Sequence, residues 1–428
     1  MTDKPKIVIL GSGFGGVYTA LELEKTLKNR DDFDVILVNQ ENFLLFTPML
    51  HEVAASDIDP TDIVNPIHKL LKKVQFFCGS VDAIELNNRK VIASHGATKH
   101  SHELSYDHLV LALGSVSHFY DLPGLEENSL TMKSLGDAIY LRNQIIALLE
   151  EADFDCCKDI RERLLTFVVA GGGFAGVETI AAAHDYARCI LPFYRNLKES
   201  DLRFVLVTSG SVLLPELDEK LGKYAGDLLS KRGIEVRYNT KVTGYMDHKV
   251  TLSDGSNFDC STLVWTAGIT ANPLIANLAC DNEKGRIKVL PTLKVEKWEG
   301  VWALGDCACI PNLDANGIHP PTAQHAIREA RIVAKNIAAE IRGGKLQSFR
   351  YKPIGQLASL GNRKGIAQIF GFRFSGFIAW WIWRTTYLLK LPRFEKRFRV
   401  ALNWTLDLLF SKDIVQLPTI RSKGISKE

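Results

Sequence analysis

Apolar residues near the start of the chain form two short runs on either side of a helical stretch. Residues 7–10 are Ile-Val-Ile-Leu, a continuously apolar run that predicts a buried strand. The segment Gly11-Ser-Gly-Phe-Gly-Gly16 follows, and residues 17–27 have the spacing of a helix. A second apolar run at residues 33–38 predicts another strand. This order of strand, glycine-rich turn, helix and strand predicts a parallel βαβ unit.

The same pattern returns 160 residues further along the chain. Residues 166–170 are an apolar run, Gly171-Gly-Gly-Phe-Ala-Gly176 follows, a helix is predicted through Ala183, and residues 202–207 predict the next strand. In the motif Gly-x-Gly-x-x-Gly the first glycine permits a tight turn, the second lets a phosphate approach the backbone, and the third lets the helix pack on the strand. Two such units predict two dinucleotide-binding sites. A pair of glycine-rich structural turns is the alternative interpretation.

Three more apolar segments fit this arrangement. Residues 106–114 and 261–268 each end in small residues, as strands often do that lead the chain from one nucleotide domain to another. Residues 300–306 end in Asp306, whose carboxylate can accept hydrogen bonds from a ribityl chain. A helix predicted over about residues 320–341 would place its N-terminus beside a flavin and stabilise the anionic reduced ring. An ordinary turn carboxylate is the alternative for Asp306.

The composition excludes several classes of protein and divides the chain in two. Of 428 residues, 46% are hydrophobic and 24% charged, a globular mixture that excludes a disordered, collagen-like or disulfide-scaffold protein. The net charge of +3 conceals an asymmetry, because residues 1–345 carry −8 and residues 346–428 carry +11. The C-terminal segment also holds four of the seven Trp residues. An acidic body with a basic, aromatic tail indicates an anionic partner surface.

The C-terminal segment has the pattern of helices that lie in a membrane interface. Its apolar side chains form one stripe at helical spacing, and these are Phe374, Phe377, Ile378, Trp381, Ile382, Leu388 and Leu389. The cations that follow are Lys390, Arg393, Lys396, Arg397 and Arg399, and a second predicted helix groups Phe398, Leu402, Leu408 and Leu409. Basic residues beside a Trp/Phe stripe are typical of a helix on anionic headgroups, so residues 374–410 are predicted to contact an anionic membrane surface.

The same sequence leaves two alternatives open for the tail and argues against several other features. A helix packed on the body and a dimer interface are the alternatives, and nucleic acid is not expected because no recognition motif accompanies the charge. The longest apolar run, residues 374–383, has ten residues, whereas a spanning helix needs about 20. Residues 1–6 run directly into the first strand, so no signal or transit peptide is expected. No metal site is expected, because the cysteines have no zinc-site spacing.

Eight motifs along the chain together point to one family. They lie at residues 11–16, 42–51, 109–115, 122–125, 171–178, 265–268, 303–306 and 320–324. On these motifs and the Trp-rich tail, the chain resembles the type II NADH dehydrogenases (non-pumping NADH:quinone oxidoreductases) over almost its whole length. The resemblance implies an α/β fold of two Rossmann-like dinucleotide-binding domains with a C-terminal amphipathic-helix membrane anchor. Residues 1–120 and 271–345 would form the FAD domain, residues 121–270 an inserted NAD(P)H domain, and residues 346–428 the anchor.

The resemblance also assigns cofactor contacts. Non-covalent FAD would contact Gly11, Gly13, Phe14, Gly15, Gly16, Asn39, Gln40, Glu41, Ala112, Gly114, Asp306, Ala323 and Gln324. NADH, with NADPH left open as the donor, would contact Gly171, Gly173, Phe174, Ala175, Gly176, Glu178, Thr208, Ala267 and Gly268. Glu178 would be the family's acid beside the nicotinamide and the flavin. Gln324 would be the first glutamine of the family's quinone motif, Ala-Gln-x-Ala-x-Gln.

This chain departs from the family pattern at three positions. Arg328 stands where the quinone motif has its second glutamine, on the helix face of Gln324. Its charge would either favour a quinol anion or pair with a neighbouring acid. Thr208 stands where an acid would select NADH or an Arg would select NADPH, so NADH is favoured only by family habit. Ala182 replaces a second acid four residues after Glu178. Glu178, Gln324 and Arg328 are the candidate catalytic residues.

The resemblance and the tail together predict a peripheral membrane flavoenzyme that transfers hydride from NADH to FAD and two electrons on to menaquinone or ubiquinone, without proton pumping. The expected location is the cytoplasmic face of a bacterial inner membrane, and a homodimer is left open. A sulfide:quinone-type oxidoreductase is one alternative, kept open by the pairs Cys156/Cys157 and Cys307/Cys309 although no cysteine follows Cys309. A redox-sensing flavin/NAD-binding protein with slow turnover is the other.

Overall fold

The computed structural model describes residues 4–26, 33–155, 157–407 and 409–417, which fall into two compact units. Unit 1 comprises residues 1–45, 64–116 and 269–352. Unit 2 comprises residues 46–63, 117–268 and 353–428. The domain boundaries given above concern which cofactor each part of the chain holds, and they stay a prediction.

Strands are distributed along the whole chain. In order they are β1 (Lys6–Leu10), β2 (Asp34–Asn39), β3 (Phe43–Leu45), β4 (Val64–Pro66), β5 (Gln75–Cys78), β6 (Ser80–Glu85), β7 (Lys90–His95), β8 (His100–Ser105), β9 (His108–Leu111), β10 (Ser115–Ser117), β11 (Thr166–Ala170), β12 (Arg203–Val207), β13 (Ile234–Arg237), β14 (Val242–Met246), β15 (Lys249–Leu252), β16 (Asn257–Asp259), β17 (Thr262–Trp265), β18 (Ile269–Ala271), β19 (Asn282–Glu283), β20 (Arg286–Lys288), β21 (Val301–Ala303), β22 (Ala308–Cys309), β23 (Gly355–Ser359), β24 (Gly365–Ile369) and β25 (Phe372–Gly376).

The helices range from single turns to five turns. In order they are α1 (Phe14–Thr26), α2 (Leu50–Ala54), α3 (Ile67–Leu70), α4 (Leu125–Asn128), α5 (Leu135–Phe154), α6 (Lys158–Leu164), α7 (Phe174–Ile190), α8 (Glu219–Lys231), α9 (Pro273–Ala276), α10 (Ala323–Ile341), α11 (Phe377–Lys390) and α12 (Phe394–Leu406).

Unit 1 is built on a five-stranded parallel sheet in the order β21-β9-β1-β2-β5. In the middle strand, Ile7 lies beside Val35 of β2 and His108 of β9. Residues 7–10 are fully buried, which explains why this strand is a continuous apolar run rather than an alternating one. The long helices α1 and α10 pack against each other. Because β1 and β9 are parallel neighbours, the loops that follow them meet at one edge of the sheet.

Unit 2 repeats this arrangement with a four-stranded parallel sheet in the order β13-β12-β11-β17. In β11, Val168 lies beside Val205 of β12 and Leu263 of β17. A small antiparallel sheet, β14-β15-β16, adds to the same apolar core. The loops after β11 and β17 therefore lie next to each other, as the loops after β1 and β9 do in unit 1.

The helices predicted after both glycine motifs are present, but their first or last residues differ from the prediction. Helix α1 begins at Phe14 rather than at residue 17, and the predicted end at Leu27 lies outside the described residues. Helix α7 continues past Ala183 to Ile190, because Ala187 and Ile190 extend its buried face beyond the polar residues 184–185.

The C-terminal part of unit 2 differs from the predicted pattern. Strands β23, β24 and β25 form an antiparallel sheet, and α11 packs against it. Phe374 pairs with Ala367 in this sheet, so it does not belong to the predicted helical stripe. The helix starts only at Phe377, after Gly376. Leu409 follows the end of α12 at Leu406, and Leu408 lies outside the described residues. Within the described ranges, no helix combines the length and the apolarity needed to cross a membrane.

Candidate functional site

The loop after β1 has a shape that only glycine allows at two positions. Gly11 has a φ of +99°, and a Cβ there would overlap the carbonyl oxygen of Ala112 in the loop after β9. A Cβ on Gly16 would overlap the carbonyl oxygen of Gly11, because α1 begins directly against the strand. The first and third glycines are therefore required by the protein's own backbone.

The second glycine of this loop faces open space. No protein atom lies within 4 Å of the position that a Cβ on Gly13 would take. A Cβ on Gly15, by contrast, would lie 3.3 Å from the side chain of Leu304. The first N–H groups of a helix have no partner within the helix, and the helix dipole favours an anion there. The open position at Gly13, beside the start of α1 at Phe14, thus fits a pyrophosphate.

Residues at the end of β2 support the same loop. Asn39 Oδ1 accepts a hydrogen bond from Ser12 N (3.1 Å), and its Nδ2 donates to the carbonyl oxygen of Glu41 (2.9 Å). Gln40 Nε2 donates to Ser80 Oγ (2.9 Å). Asn39 thus holds the loop backbone in place, and Gln40 links the end of β2 to Ser80 of β6. Glu41 is exposed and carries the carboxylate that remains for a ribose.

Asp306 follows β21 in unit 1. Its Oδ2 accepts a hydrogen bond from Ser115 Oγ (2.7 Å), and it is half-buried. Glu329 of α10 accepts a bond from the backbone N–H of Gly305 (2.8 Å), and burial raises the pKa of Glu329 to about 8. In the neighbouring loop Gly114 has a φ of +68° and faces open space. Asp306 is thus a held acceptor in a partly open site.

Gln324 and Arg328 lie on one face of α10, whose first residue is Ala323. Arg328 Nη1 donates to the carbonyl oxygen of Gln324 (2.8 Å), and its guanidinium lies 4.1 Å from the ring centroid of Tyr351. The Tyr351 hydroxyl donates to Gln324 Oε1 (3.2 Å). Arg328 forms no ion pair within the described ranges of the chain, so the acid partner considered above is replaced by an aromatic ring.

The loop after β11 in unit 2 repeats the geometry of the first loop. Gly171 has a φ of +125°, and a Cβ there would overlap Thr266 Oγ1. A Cβ on Gly176 would overlap the carbonyl oxygen of Gly171. At Gly173 the nearest atom to a Cβ would be Glu216 Oε1, at 3.9 Å. Helix α7 begins at Phe174, followed by Ala175, so this loop also offers an open position beside a helix N-terminus.

The surroundings of the second loop place the remaining NAD(P)H candidates. Thr208 directly follows β12 and is buried beside the loop. Its Oγ1 accepts a hydrogen bond from Gly210 N (3.3 Å). Its backbone N–H donates to the carbonyl oxygen of Arg237, whose guanidinium is paired with Glu235. Ala267 and Gly268 follow β17, and a Cβ on Gly268 would overlap the carbonyl oxygen of His118.

Glu178 lies on α7 and is buried within unit 2. Its Oε1 accepts hydrogen bonds from the backbone N–H of Ser359 (2.9 Å) and from Trp383 Nε1 (3.1 Å). Burial raises the pKa of Glu178 to about 8, although both donors act in the opposite direction. The carboxyl is therefore mostly protonated at neutral pH.

His51 of α2 faces the other oxygen of the same carboxyl. Its Nδ1 lies 3.7 Å from Glu178 Oε2, and its ring packs on Trp383 with centroids 5.5 Å apart. Burial lowers the pKa of His51 to about 3, so the imidazole is neutral and the two groups are not an ion pair. Nε2 is buried and has no hydrogen-bond partner among the described residues.

Sequence reasoning missed most partners of the candidate residues. Ser359 and Trp383 bind a glutamate that precedes them by more than 180 residues, and no local pattern indicates that contact. Tyr351 follows Gln324 by only 27 residues, but it belongs to none of the motifs found in the sequence. A weak signal existed for His51, because it ends one of the motifs that the resemblance rests on.

Helices α11 and α12 bury one face in unit 2 and expose apolar side chains on the other. The buried side chains include Trp383 of α11 and Trp404 of α12. The exposed apolar side chains, called the tail surface below, are Phe377, Ile378, Trp381, Leu389, Phe394, Phe398, Leu402 and Leu406. An apolar surface of this kind on a protein usually contacts a partner or a membrane.

Lys396 does not belong with the exposed cations of the tail. It is 6% exposed, its Nζ donates to the carbonyl oxygen of Thr61 (2.6 Å), and Asp62 Oδ1 lies 3.9 Å away. The expectation that Lys396 contacts headgroups is therefore wrong. Lys390 and Arg399 are exposed, and Arg399 Nη2 pairs with Glu395 Oε1 (3.2 Å) on the same helix.

Two family comparisons cover most of the chain. Residues 5–330 match the family described as pyridine nucleotide-disulphide oxidoreductase. Residues 354–413 match the NDH2 C-terminal domain. The second match includes β23 to β25, α11 and α12.

Relatives align along almost the full length. The type II NADH:quinone oxidoreductase Ndh of Mycobacterium tuberculosis is 31% identical over 423 residues, covering 95% of this chain and 89% of the relative. The demethylphylloquinone reductase NdbB of Synechocystis is 33% identical over 413 residues, covering 94% and 96%. The structure of NDH2 from Plasmodium falciparum in complex with NADH matches with a TM-score of 0.89 at 19% identity, covering 96% of this chain and 100% of that one.

These matches confirm the predicted α/β fold and the predicted family. The fold is that of the Plasmodium protein, and the family follows from the match over residues 5–330 together with 31% identity along nearly the whole chain. The chain therefore belongs to the type II NADH:quinone oxidoreductases, within the pyridine nucleotide-disulphide oxidoreductase family.

Proposed function

We propose that this chain is an FAD-dependent enzyme that oxidises NADH and reduces a membrane quinone. The observation that supports this most directly is the shape of the two glycine loops. In each loop a Cβ would overlap other atoms at the first and third glycines, whereas the second glycine faces open space. Each unit thus offers its own place for a dinucleotide. The names of the Mycobacterium and Synechocystis relatives include a quinone acceptor, which supports a quinone as the acceptor here.

FAD would be held by unit 1. The open position at Gly13 would receive the pyrophosphate, Glu41 the ribose and Asp306 the ribityl hydroxyls. When bound, FAD supplies the two-electron chemistry that links oxidation of NADH to reduction of a quinone. Gly11, Gly16 and Asn39 would shape the loop that carries the open position at Gly13.

NADH would be held by unit 2, at the loop that opens at Gly173. A bound 2′-phosphate would need a free cation near the end of β12. Arg237, whose carbonyl oxygen accepts from Thr208 N, is paired with Glu235 instead. This arrangement favours NADH over NADPH.

The quinone would contact Gln324 and Arg328 in unit 1. Both side chains share one helix face, and Tyr351 fixes the Gln324 amide through its hydroxyl. A guanidinium held against a ring keeps its positive charge while its position is restricted. Arg328 would therefore stabilise negative charge that develops on a quinone oxygen during reduction.

Glu178 would serve as a proton store. Its carboxyl is buried in unit 2 and has a pKa raised to about 8 by burial, so it holds a proton that it can release near neutral pH. Quinone reduction consumes protons, and a carboxyl at its ordinary pKa would already have lost its proton.

The tail surface would lie on an anionic leaflet. Its apolar side chains would enter the headgroup region while the exposed Lys390 contacts a lipid phosphate, contributing about 1 kcal/mol. This supports peripheral attachment of the enzyme to the membrane that contains its quinone. The cytoplasmic face of a bacterial inner membrane and a homodimer stay predictions.

The thiols argue against the sulfide:quinone alternative. Cys307 is buried, its Sγ donates to the carbonyl oxygen of Leu111 (3.3 Å), and burial raises the pKa of its thiol to about 12. Burial also raises the pKa of Cys309. A raised pKa disfavours the thiolate that nucleophilic attack on sulfur requires. Cys156 lies outside the described residues.

Stopped-flow absorbance of the purified yellow protein tests the proposed function. NADH should bleach the flavin faster than NADPH does, and a soluble menaquinone or ubiquinone analogue should restore the colour repeatedly. A redox sensor would be reduced once and stall. Failure of every quinone analogue to reoxidise the bleached protein would contradict the proposal.

A further inference from the structure

A group of charged side chains joins α12 and the segment after it to α2 and the loop that follows α2. Its members, called the latch cluster below, all belong to unit 2 and are Glu52, Asp57, Arg384, Asp407 and Lys412. We propose that the latch cluster is a proton-dependent fastening, which holds Trp404 and residues 409–413 against α2 at acidic to neutral pH and loosens them as the pH rises. This device needs no bound quinone or nucleotide.

Two hydrogen bonds and an ion pair connect the two sides of the latch cluster. Trp404 Nε1 of α12 donates to Glu52 Oε2 of α2 (3.1 Å), and both side chains are buried. After α12, Lys412 Nζ lies 2.7 Å from Asp57 Oδ1 and donates to the carbonyl oxygen of Ala55 (2.9 Å). These contacts depend on acidic side chains of α2 and of the loop after it, so their strength depends on which of those side chains carry a proton.

Arg384 of α11 is the second cation of the latch cluster. Its guanidinium lies 4.0 Å from the ring centroid of Trp404, the residue whose N–H binds Glu52. Burial lowers the pKa of Arg384, whereas all three carboxyls of the cluster act to raise it, so this guanidinium faces every acid of the group. Three carboxyls thus share two cations. Because a buried charge without a partner is unfavourable, this composition favours keeping a proton on one of the acids.

Glu52 is the acid that keeps its proton at neutral pH. Burial raises the pKa of Glu52 to about 8 and Asp57 adds to this effect, although the two cations and the bond from Trp404 act in the opposite direction. Burial also raises the pKa of Asp407, to about 6, and Asp407 Oδ2 is buried without a hydrogen-bond partner among the described residues. Loss of both protons leaves three carboxylates beside two cations, with the surplus negative charge shielded from water.

The direction of the pH dependence follows from the raised pKa of Glu52. In a loosened, hydrated state Glu52 would return to its ordinary pKa of about 4.5, so the fastened state binds the proton more tightly. The fastening is therefore strongest below about pH 4.5 and is lost progressively as the pH rises through 8. Between pH 6 and pH 9, Glu52 alone would shift the equilibrium toward the loosened state by about 90-fold. Helix α12 also carries part of the tail surface, so the fastening would set how firmly that surface is held.

Other titratable or charged side chains also face the latch cluster. These are Arg142 of α5, Asp185, Tyr186 and Cys189 of α7, and Arg363 between β23 and β24. The two guanidiniums stay charged in this pH range. Asp185 is paired with Arg232, and burial raises the pKa of Tyr186 to about 12. The Cys189 thiol, and Glu178 with its own raised pKa in unit 2, call for control variants.

The test measures amide hydrogen exchange of the FAD-loaded full-length protein between pH 6 and pH 9, in peptides that cover residues 400–413. Each rate is compared with that of the same peptide in the unfolded chain, which removes the intrinsic pH dependence of exchange. The variants are Glu52→Gln, whose amide oxygen can still accept from Trp404 Nε1 but does not titrate, and Asp407→Asn, which leaves two carboxyls for two cations. Glu395→Gln, at an exposed side chain of α12, is the matched control, and Glu178→Gln and Cys189→Ser control for the neighbouring groups.

In the parent, protection of residues 400–413 should fall by up to about 90-fold from pH 6 to pH 9, while peptides of β11 and β12 keep their protection. In Glu52→Gln this fall should shrink to less than about threefold, because the group that titrates is gone. In Asp407→Asn the fall should shrink by at least about threefold, because a deprotonated Glu52 then has a cation to itself. The three controls should behave as the parent.

The proposal is overturned if protection in the parent stays constant from pH 6 to pH 9, or if it falls equally in β11 and β12, since the loosening is then general. It is also overturned if Glu52→Gln and Asp407→Asn both fall as the parent does, or if Glu178→Gln or Cys189→Ser removes the fall instead. Should Glu52→Gln not fold, Asp407→Asn alone decides. None of these measurements involves turnover with NADH or a quinone, so the proposed function is tested separately.

Discussion

The glycine loops of the two units have nearly the same geometry, whereas the strands beside them end differently. In both loops a Cβ on the first or third glycine would overlap backbone or side-chain oxygen atoms, and the second glycine faces space. At the end of β2, Asn39 bonds to Ser12 N within the loop. At the end of β12, Thr208 Oγ1 accepts a hydrogen bond from Gly210 N instead. This bond lies outside the glycine loop and does not support it.

This difference separates what binds a phosphate from what selects a nucleotide. The loop shape depends on close approaches that only glycine permits, so two chains with the motif can share it. Selection depends on one or two side chains beside the loop. Unit 1 has Asn39 and Glu41 at this place, whereas unit 2 has Thr208. The comparison therefore predicts that changes in the loops remove a whole nucleotide, whereas changes beside them alter the preference between similar nucleotides.

The largest effect is expected from Gly13→Val. The space at Gly13 is empty of protein atoms, so the variant should fold, but its side chain would occupy the place of the FAD pyrophosphate. Affinity for the flavin should fall by at least about tenfold, and the protein should purify colourless. Absorbance near the flavin band relative to protein concentration measures this. A yellow protein with full flavin occupancy would remove the first loop as the FAD site.

Gly173→Val is the matching change in unit 2 and serves as the control for the first. It should leave the flavin bound, because the second loop holds the other nucleotide, and it should slow bleaching by NADH at least about tenfold. Dithionite should still bleach the flavin. If the variant instead purifies colourless while Gly13→Val stays yellow, the two loops have been assigned the wrong way round.

Thr208→Glu should change preference rather than binding as such. A carboxylate there offers the ribose hydroxyls an acceptor and repels a 2′-phosphate, and a hydrogen bond to a charged group contributes about 1.5–3 kcal/mol. The ratio of kcat/KM for NADH over NADPH should rise by about 10–100-fold. Thr208→Gln is the control for size without charge. An equal rise in both variants would show that the charge is irrelevant.

Sequence patterns predicted these loops well because their geometry is local. Gly11 and Gly16 are constrained by atoms a few residues away or on the adjacent strand, so the spacing of glycines is enough to indicate the turn. Glu178, by contrast, was assigned a role through family resemblance alone. Its partners His51, Ser359 and Trp383 come together only through the fold of unit 2.

The tail shows a second reason for failure. Helical spacing identified apolar and basic positions, but it does not show which face of a helix packs on the rest of the protein. Lys396 was therefore grouped with exposed cations, although it bonds to the carbonyl oxygen of Thr61. Phe374 fitted the same spacing while belonging to a strand, because a short alternating segment can match either period.

The smallest effect is expected from Glu329→Gln in unit 1, the counterpart of Glu178 as a buried neutral carboxyl. Burial raises the pKa of Glu329 to about 8, from about 4.5 in the unfolded chain, so the folded protein binds the proton more tightly between these values. Stability from this group is therefore present below about pH 4.5 and is lost progressively as the pH rises toward 8.

The amide oxygen of the Glu329→Gln variant can still accept a hydrogen bond from Gly305 N, but the amide does not titrate. Between pH 6 and pH 8 the parent should lose about 2 kcal/mol more unfolding free energy than the variant does, which a difference of a few degrees in melting temperature would reveal. Glu299→Gln, at a side chain that is 80% exposed, is the control and should keep the parent's pH dependence. If Glu329→Gln melts with the same pH dependence as the parent, Glu329 is ionised in the folded protein, and the likeness between the buried acids of the two units fails at this position.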